Sequence, residues 1–386
     1  MKVRRWSRGW LATVLALASL AFGNPGAPPR PLPLPTPGPL FPHNPAAVVS
    51  GLPAQCGFFA EDGENATRTP IPDKVGAVNG VITSTIDMTQ TLPYIWEVSA
   101  STSISHTFPG DLEITLISPT GTRMTLSSRN GGGNDDVFAN TIWTDAATIP
   151  ATDAVYSDHV IQHELVPEEA FGAFVGENGQ GTWTLEVADE ASGDTGTLND
   201  WSIGMISLNR APVVSTTSFL AVPVAPIPTT GDPLQLNLPV SGLGTSVLDV
   251  NLTTQIQHLQ PGALDFWLAA PGDYSTTIST GNGDSYADWF DGTVWDDFAG
   301  KLYPPGPVTD DIHSSAVLTA AVPEGAMGHF IGADPNGTWS LFIKDAAGAG
   351  GGIVQEWGVD ITTGACTGRL FLPLVGTNFP PTLFGR

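Results

Sequence analysis

The chain contains an internal repeat whose period is the length of a whole domain. The segment Ile104–Glu113 matches Ile256–Asp265 at an offset of 152 residues, with His, Pro-Gly and Leu in the same order. Farther along, Gly181–Leu185 matches Gly337–Leu341 and Trp201 matches Trp357, both at an offset of 156. Solenoid repeats have periods of roughly 20–50 residues, so a period this long indicates two copies of one independent fold.

Each copy carries the pattern of short β-strands. Apolar and polar residues alternate in Leu112–Leu116 and in Trp183–Val187, and Asn-Gly pairs such as Asn130-Gly131 supply the positive φ angles of tight turns. Charged residues make up only 13% of the chain, while Gly (44) and Pro (34) are abundant, which excludes coiled coils and helical bundles. The sequence predicts an all-β protein of two tandem β-sandwiches of the jelly-roll type, each with roughly seven to nine strands.

Three blocks in fixed order carry a family resemblance. They are I-x-H-[TL]-x-P-G-x-L, then G-T-W-x-L-x-[VI]-x-D after F-x-G, and finally G-x-[LI]-x-x-W-x-[IV]. These blocks resemble the P domain, or Homo B domain, of proprotein convertases of the kexin and furin type and of bacterial subtilisin-like proteases. The resemblance covers 75–208 and 231–365 and implies a jelly roll of the galactose-binding-like class. In that family the domain follows a subtilisin-type catalytic domain, stabilises it and has no hydrolytic residues of its own.

The second copy departs from the family pattern. It has Leu259 where the first copy has Thr107, and Ala263 where the first has Asp111. Any function that depends on those two side chains is therefore expected only in the first copy.

The chain offers no subtilisin triad in a suitable context. Two strings resemble protease motifs, Gly244-Thr245-Ser246 and Asp194-Thr195-Gly196, but the first lies in an apolar strand and turn, and the second occurs once. Both are better interpreted as turns. His106 and His258 occupy equivalent positions without an adjacent nucleophile, so we expect them to be buried hydrogen-bonding residues that fix a turn.

The N-terminal segment has the order of a secretory signal peptide. Basic residues up to Arg8 precede the apolar run Trp10–Phe22, which is too short to span a bilayer, although a retained signal anchor is an alternative. We expect a signal peptide at 1–23, a Pro-rich linker at 24–54, a second linker at 209–230 and a C-terminal tail at 366–386. The mature protein is then secreted or on the cell surface, without a membrane span.

The charge balance limits the partners. The formal net charge is −24, and removal of the basic signal peptide makes it more negative. Nucleic acid is therefore excluded as a partner.

The acidic loops are candidates for a calcium site. Asp111, Asp145 and Asp189 stand at predicted strand ends, where carboxylates could converge on Ca²⁺, and Asp297 and Asp345 are their counterparts in the second copy. The alternative is that these residues, like those of the acidic turn Gly131–Asp136, are solvated turn residues.

Two further sites are suggested by single residue types. Trp289, which has no counterpart in the first copy, is the aromatic residue we expect to bind a ligand such as a sugar ring. Cys56 and Cys366 bracket both copies, and either form a disulfide that closes a 310-residue loop or remain two separate thiols.

Taken together, the sequence favours an exported, non-catalytic tandem P-domain protein that acts as a binding or stabilising module for a protein or a surface glycan. The alternative is an accessory component of a secreted subtilisin-like serine endopeptidase. The resemblance to these proteases would then imply serine endopeptidase activity for this chain. We expect a protease assay of the purified protein to detect none.

Overall fold

The computed structural model describes residues 52–53, 56–298, 307–309, 316–348 and 351–366. The predicted signal peptide, most of the Pro-rich linker and the tail beyond Cys366 lie outside these residues. Both copies fall within one compact unit. No helix in the described ranges is long and apolar enough to cross a membrane.

The first copy is a β-sandwich of ten strands and two 3-10 helices. Its helices are Pro109–Asp111 and Phe171–Phe174, and its strands are β1 Phe58–Asn65, β2 Thr69–Ile71, β3 Gly80–Met88, β4 Tyr94–His106, β5 Leu112–Ile117, β6 Arg123–Ser128, β7 Ala139–Trp143, β8 Glu164–Leu165, β9 Gly181–Asp189 and β10 Gly196–Leu208. One sheet has the order β1-β10-β4-β7-β8, with β2 also paired to β10, and the other has the order β3-β9-β5-β6.

The second copy repeats this topology strand for strand. Its 3-10 helices are Pro261–Ala263 and Met327–Phe330, and its strands are β11 Val213–Ala221, β12 Ala225–Pro226, β13 Leu234–Val240, β14 Val247–His258, β15 Leu264–Ala270, β16 Tyr274–Thr280, β17 Asp291–Trp295, β18 Ala320–Ala321, β19 Gly337–Asp345 and β20 Gly352–Ala365. The sheet orders are β11-β20-β14-β17-β18, with β12 on β20, and β13-β19-β15-β16. The prediction of two tandem β-sandwiches is confirmed, with ten strands among the described residues of each rather than seven to nine.

The domain bounds differ from those expected from sequence. The first sandwich begins at β1, before position 75, and the segment 209–230 is not simply a linker, because it contains β11 and β12. β11 pairs with β20 over nine residues, from Val213 opposite Ala365 to Ala221 opposite Trp357. The prolines of this segment misled the prediction, since they lie outside β11, whose β-branched residues suit a strand.

Alternation fixes which face of each strand is buried. In β3 every second residue is buried and the others are exposed, so one face packs on the core and the other meets solvent. The two cores are built around equivalent tryptophans, which are Trp143, Trp183 and Trp201 in the first sandwich and Trp295, Trp339 and Trp357 in the second.

A smaller apolar cluster and a disulfide join the two sandwiches. Trp96 and Leu208 of the first sandwich are buried together with Leu248 of the second. Cys56, just before β1, is bonded to Cys366, just after β20, with a Cα–Cα distance of 5.0 Å. Of the two alternatives for the cysteines, the structure has the disulfide.

Candidate functional site

A buried His–Asp pair lies at one end of each sandwich. In the first, His106 Nε2 lies 3.4 Å from Asp189 Oδ2, and the His106 Nδ1 accepts a hydrogen bond from Phe108 N at 3.1 Å. The His106 residue is only 1% exposed. A neutral ring that accepts at Nδ1 carries its proton at Nε2, the nitrogen on the side of the ring near Asp189.

The second sandwich repeats the pair. His258 Nε2 lies 3.7 Å from Asp345 Oδ2, and His258 Nδ1 accepts from Gln260 N. Neither imidazole is hydrogen-bonded to a hydroxyl or thiol in the described part of the chain. Both histidines therefore fix the turn that follows β4 or β14, as expected.

Asp111 and Asp189 lie close together at this end of the first sandwich. Leu112, which follows Asp111, pairs with Asp189, and Glu190 N donates to the Asp111 carbonyl at 2.8 Å. Burial and then the negative charge of Asp189 raise the pKa of Asp111. Asp111 also lines a cleft of about 360 Å³.

The cations of this cleft are already engaged. Lys74 Nζ donates to the Glu190 carbonyl at 2.5 Å, and Arg129 Nε donates to the Glu190 carboxylate at 3.2 Å. Asn79 Nδ2 donates to the other oxygen of that carboxylate at 3.0 Å. Glu190 is thus the centre of a local network, and Asp111 remains at its rim.

A group of three side chains at the same end of the first sandwich could hold a cation, and sequence reasoning did not identify it. Ligand atoms of Asp135, Asp158 and His159 all lie within 4.8 Å of one another. Asp135 N donates to Asp158 Oδ1 at 2.9 Å, and His159 N donates to the Asp135 carbonyl at 2.9 Å. The acidic turn 131–136 contains one of these three residues, Asp135, but nothing in the local sequence connects it to the loop that carries Asp158 and His159.

Asp145 lies far from Asp111 and Asp189, so the three carboxylates do not form one cage. Asp145 follows Trp143, which pairs with Ala100 of β4, whereas Asp189 meets His106 at the other end of β4. The stretch of β4 from Ala100 to His106 spans roughly 20 Å at the rise of an extended strand. Of the sequence-predicted group, the structure brings together only Asp111 and Asp189, and in the second copy it likewise separates Asp297 from Asp345.

Asp145 and Asp297 instead cap the 3-10 helices Phe171–Phe174 and Met327–Phe330. Asp145 accepts hydrogen bonds from Phe171 N at 2.8 Å and Gly172 N at 2.9 Å. Asp297 accepts from Met327 N at 3.0 Å and Gly328 N at 2.6 Å. Each of the four carboxylate oxygens accepts one backbone N–H bond, so in this structure both residues serve as caps.

Glu168 and Glu324 form a second repeated feature that sequence reasoning missed. Glu168 accepts from Ser128 N and Ser128 Oγ, and Glu324 accepts from Thr280 N and Thr280 Oγ1. The signal was present as Val-Pro-Glu at 166–168 and 322–324, at the same offset of 156 as the tryptophans.

The prediction of Trp289 as a ligand-binding residue is corrected. Its residue surface is 1% exposed, and its ring packs against Phe290 with centroids 5.1 Å apart. A sugar ring needs an open aromatic face, which this core residue does not offer.

Comparison with known proteins finds a family match within the first sandwich. Residues 95–205 match the model described as the proprotein convertase P-domain. The "Transglutaminase-activating metalloprotease" of Streptomyces mobaraensis is 31% identical over 140 residues, which is 36% of this chain and 14% of that protein. The "Calcium-dependent protease" of Trichormus variabilis is 30% identical over 112 residues, or 28% of this chain and 14% of that protein.

The matches are local. The chain spans about a seventh of the length of both of these relatives. Among solved structures, the Aeromonas sobria serine protease in complex with its chaperone matches 40% of this chain and 28% of that one, at 15% identity and a TM-score of 0.27. The resemblance predicted from sequence is confirmed for the first copy, in which residues 95–205 match the proprotein convertase P-domain.

Proposed function

We propose that this protein is an exported, non-catalytic module of two P-domain-type sandwiches that binds and stabilises a partner. The proposal rests on the kinds of protein that contain a segment similar to part of this chain. Its relatives are named a metalloprotease, a calcium-dependent protease and, at 26% identity, "Leupeptin-inactivating enzyme 1" of Streptomyces exfoliatus. A segment that is a small part of proteins named for such different actions is an accessory to their chemistry.

The site geometry supports the same conclusion. His106 and Asp189 resemble two members of a catalytic triad, but they are buried and the ring is committed to a turn. General-base catalysis requires a base within reach of a nucleophile and substrate. The repeat of this arrangement in His258 and Asp345 supports treating the second sandwich as another P-domain-type unit.

Export is supported by the signal-like N-terminus and by the Cys56–Cys366 disulfide, since disulfides persist in oxidising compartments. The partner that fits best is a secreted protease, because the relatives with this segment are proteases. A surface glycan is the alternative partner.

Two experiments test the proposal. Purified protein is expected neither to react with a fluorophosphonate active-site probe nor to cleave casein, and labelling of a serine would overturn the non-catalytic assignment. Affinity-tagged protein expressed in its host is expected to retain a secreted protease. Binding on a glycan array without protease recovery would replace the protease partner by a glycan.

Calcium is a second element of the proposal, supported by the cluster of Asp135, Asp158 and His159 and by a relative named for calcium dependence. Carboxylate oxygens are the ligands that calcium prefers, whereas imidazole suits zinc. Ca²⁺ and Zn²⁺ are therefore to be compared at this cluster.

A further inference from the structure

Asp145 and Asp297 occupy equivalent positions in the two copies, and the structure brings them to one junction. Each caps the 3-10 helix of its own sandwich, and these two helices, Phe171–Phe174 and Met327–Phe330, pack against each other. The junction therefore has an approximate twofold arrangement inside a single chain.

Each carboxylate also reaches the glycine of the opposite helix. A side chain on Gly328 would begin 2.1 Å from Asp145 Oδ2, and one on Gly172 would begin 3.1 Å from Asp297 Oδ2 and 3.8 Å from Asp145 Oδ2. Two carboxylate oxygens from different sandwiches thus approach the same point. Glycine at 328 is what allows this approach, whereas a Cβ at position 172 would make a tight contact.

Ionisation of either carboxyl group is unfavourable. Burial, opposed by the Phe171 and Gly172 amides and reinforced by Glu97, raises the pKa of Asp145 to about 7. Burial, followed by the charge of Asp145, raises the pKa of Asp297 well above its ordinary value.

The other charged groups that act on Asp145 and Asp297 do not offset the unfavourable negative charge of the pair. Glu97 on β4 and Asp249 on β14 are both acidic and act on Asp145 and Asp297 respectively. Burial lowers the pKa of His329, on the helix that Asp297 caps, so this ring is neutral where the pair titrates. The ring lies against Tyr274.

A second acidic pair lies between the sandwiches. Thr280 Oγ1 contacts Asp153 Oδ1 of the first sandwich at 3.3 Å and Glu324 Oε2 of the second at 2.8 Å. Glu168, on the segment before Phe171, accepts a hydrogen bond from Ser128 N.

We propose that the junction is a proton-controlled joint, in which Asp145 and Asp297 share a proton that holds the two sandwiches together and whose loss loosens them. A carboxyl O–H at Asp145 or Asp297 can donate to the other carboxylate while both groups still accept their backbone N–H bonds. Loss of this proton leaves two anions on one desolvated site, whose repulsion is reduced when the sandwiches separate.

The first test is hydrogen exchange on the whole chain. Peptides covering Phe171–Phe174 and Met327–Phe330 are compared with β9 and β19, and protection is corrected for the pH dependence of intrinsic exchange. As the pH rises from 5.5 to 8.5, we expect protection at the two helices to fall by up to about tenfold per pH unit until the shared proton is lost, and then to level off, while protection in the strands stays constant. Constant protection at the helices would overturn the proposal.

The second test uses Asp145→Asn and Asp297→Asn, with Asp87→Asn as the control because it removes one charge from the exposed face of β3. Each junction variant is expected to lose the pH-dependent step in protection, whereas the control keeps it. An unchanged step in both junction variants would contradict a shared proton.

An Asn amide cannot accept both backbone N–H bonds. Failure of a junction variant to fold would therefore reflect the lost helix cap rather than the lost proton. Infrared spectroscopy then decides, on protein that carries Glu324→Gln, because the Glu324 carboxyl, whose pKa burial raises to about 8, would give a similar band. A protonated carboxyl C=O band that persists at pH 6 and disappears by pH 8.5, together with the loss of protection, supports the joint. The absence of that band at pH 6 would overturn it.

Discussion

Trp201 donates its indole N–H to the hydroxyl of Ser84 at 2.9 Å in the core of the first sandwich. The equivalent Trp357 of the second sandwich has no such partner, because Leu236 occupies the position of Ser84. The two copies therefore solve the same packing problem with a hydrogen bond in one and an apolar contact in the other.

This difference predicts the effect of Ser84→Ala. The variant leaves a buried N–H unpaired, so we expect it to lower the free energy of unfolding by about 1–3 kcal/mol. Urea denaturation followed by tryptophan fluorescence measures the loss. Thr83→Ala, on the exposed face of the same strand, is the control and is expected to change stability by less than about 0.5 kcal/mol. Equal effects of the two variants would contradict the hydrogen-bond argument.

The fold was predictable because its signals are local and occur twice. Alternation in strands such as Leu112–Ile117, the Asn-Gly turns and the repeated tryptophans all point to a β-sandwich. The contact between Asp145 and the Gly328 helix was not predictable, since it depends on how two sandwiches pack rather than on any local pattern. Trp289 misled the prediction for a related reason: an aromatic residue in an acidic segment carries no local mark of burial.

The disulfide predicts a large effect of reduction. The Cys56–Cys366 bond closes a loop of 310 residues, and cross-links that close long loops restrict the unfolded chain most. Cys56→Ser with Cys366→Ser is expected to lower the free energy of unfolding by about 2–5 kcal/mol. Reduced wild-type protein serves as the control and should match the double variant in urea denaturation. A double variant as stable as the oxidised protein would refute this prediction.

The two junction glycines predict unequal effects of the same substitution. Gly328→Ala would place its Cβ 2.1 Å from Asp145 Oδ2, whereas Gly172→Ala would place its Cβ 3.1 Å from Asp297 Oδ2. We expect Gly328→Ala to cost about 1–3 kcal/mol of stability, as overpacking typically does, and Gly172→Ala to cost less. Thermal unfolding of the matched pair measures the difference. The reverse order would show that the carboxylate is free to move aside.

The cation cluster predicts a change in melting temperature with added metal. After chelation, millimolar Ca²⁺ is expected to raise the melting temperature, because a ligand that binds only the folded state stabilises it. Asp135→Asn with Asp158→Asn should abolish the rise, while Asp194→Asn, which removes a carboxylate bonded to Thr107, should retain it. A response to Zn²⁺ alone would assign the cluster to a different metal, and no response to either ion would remove the site.

The charge of Asp153 acts on Glu324, and we expect this interaction to make the stability of the protein depend on pH. The single hydroxyl proton of Thr280 cannot serve both carboxylates fully, and burial followed by the charge of Asp153 raises the pKa of Glu324 from 4.5 to about 8. The folded state then binds this proton more tightly than the unfolded state, so the stabilisation is complete below about pH 4.5 and is lost as the pH rises towards 8.

Asp153→Asn removes the neighbouring charge, which should lower the pKa of Glu324 and make the loss of stability with pH smaller. We expect the melting temperature of Asp153→Asn to exceed that of the wild type at pH 8.5 and to equal it at pH 4.5. Asp87→Asn, on the exposed face of β3, should follow the wild-type curve. Parallel curves for Asp153→Asn and the wild type would show that the two carboxylates do not interact across the sandwiches.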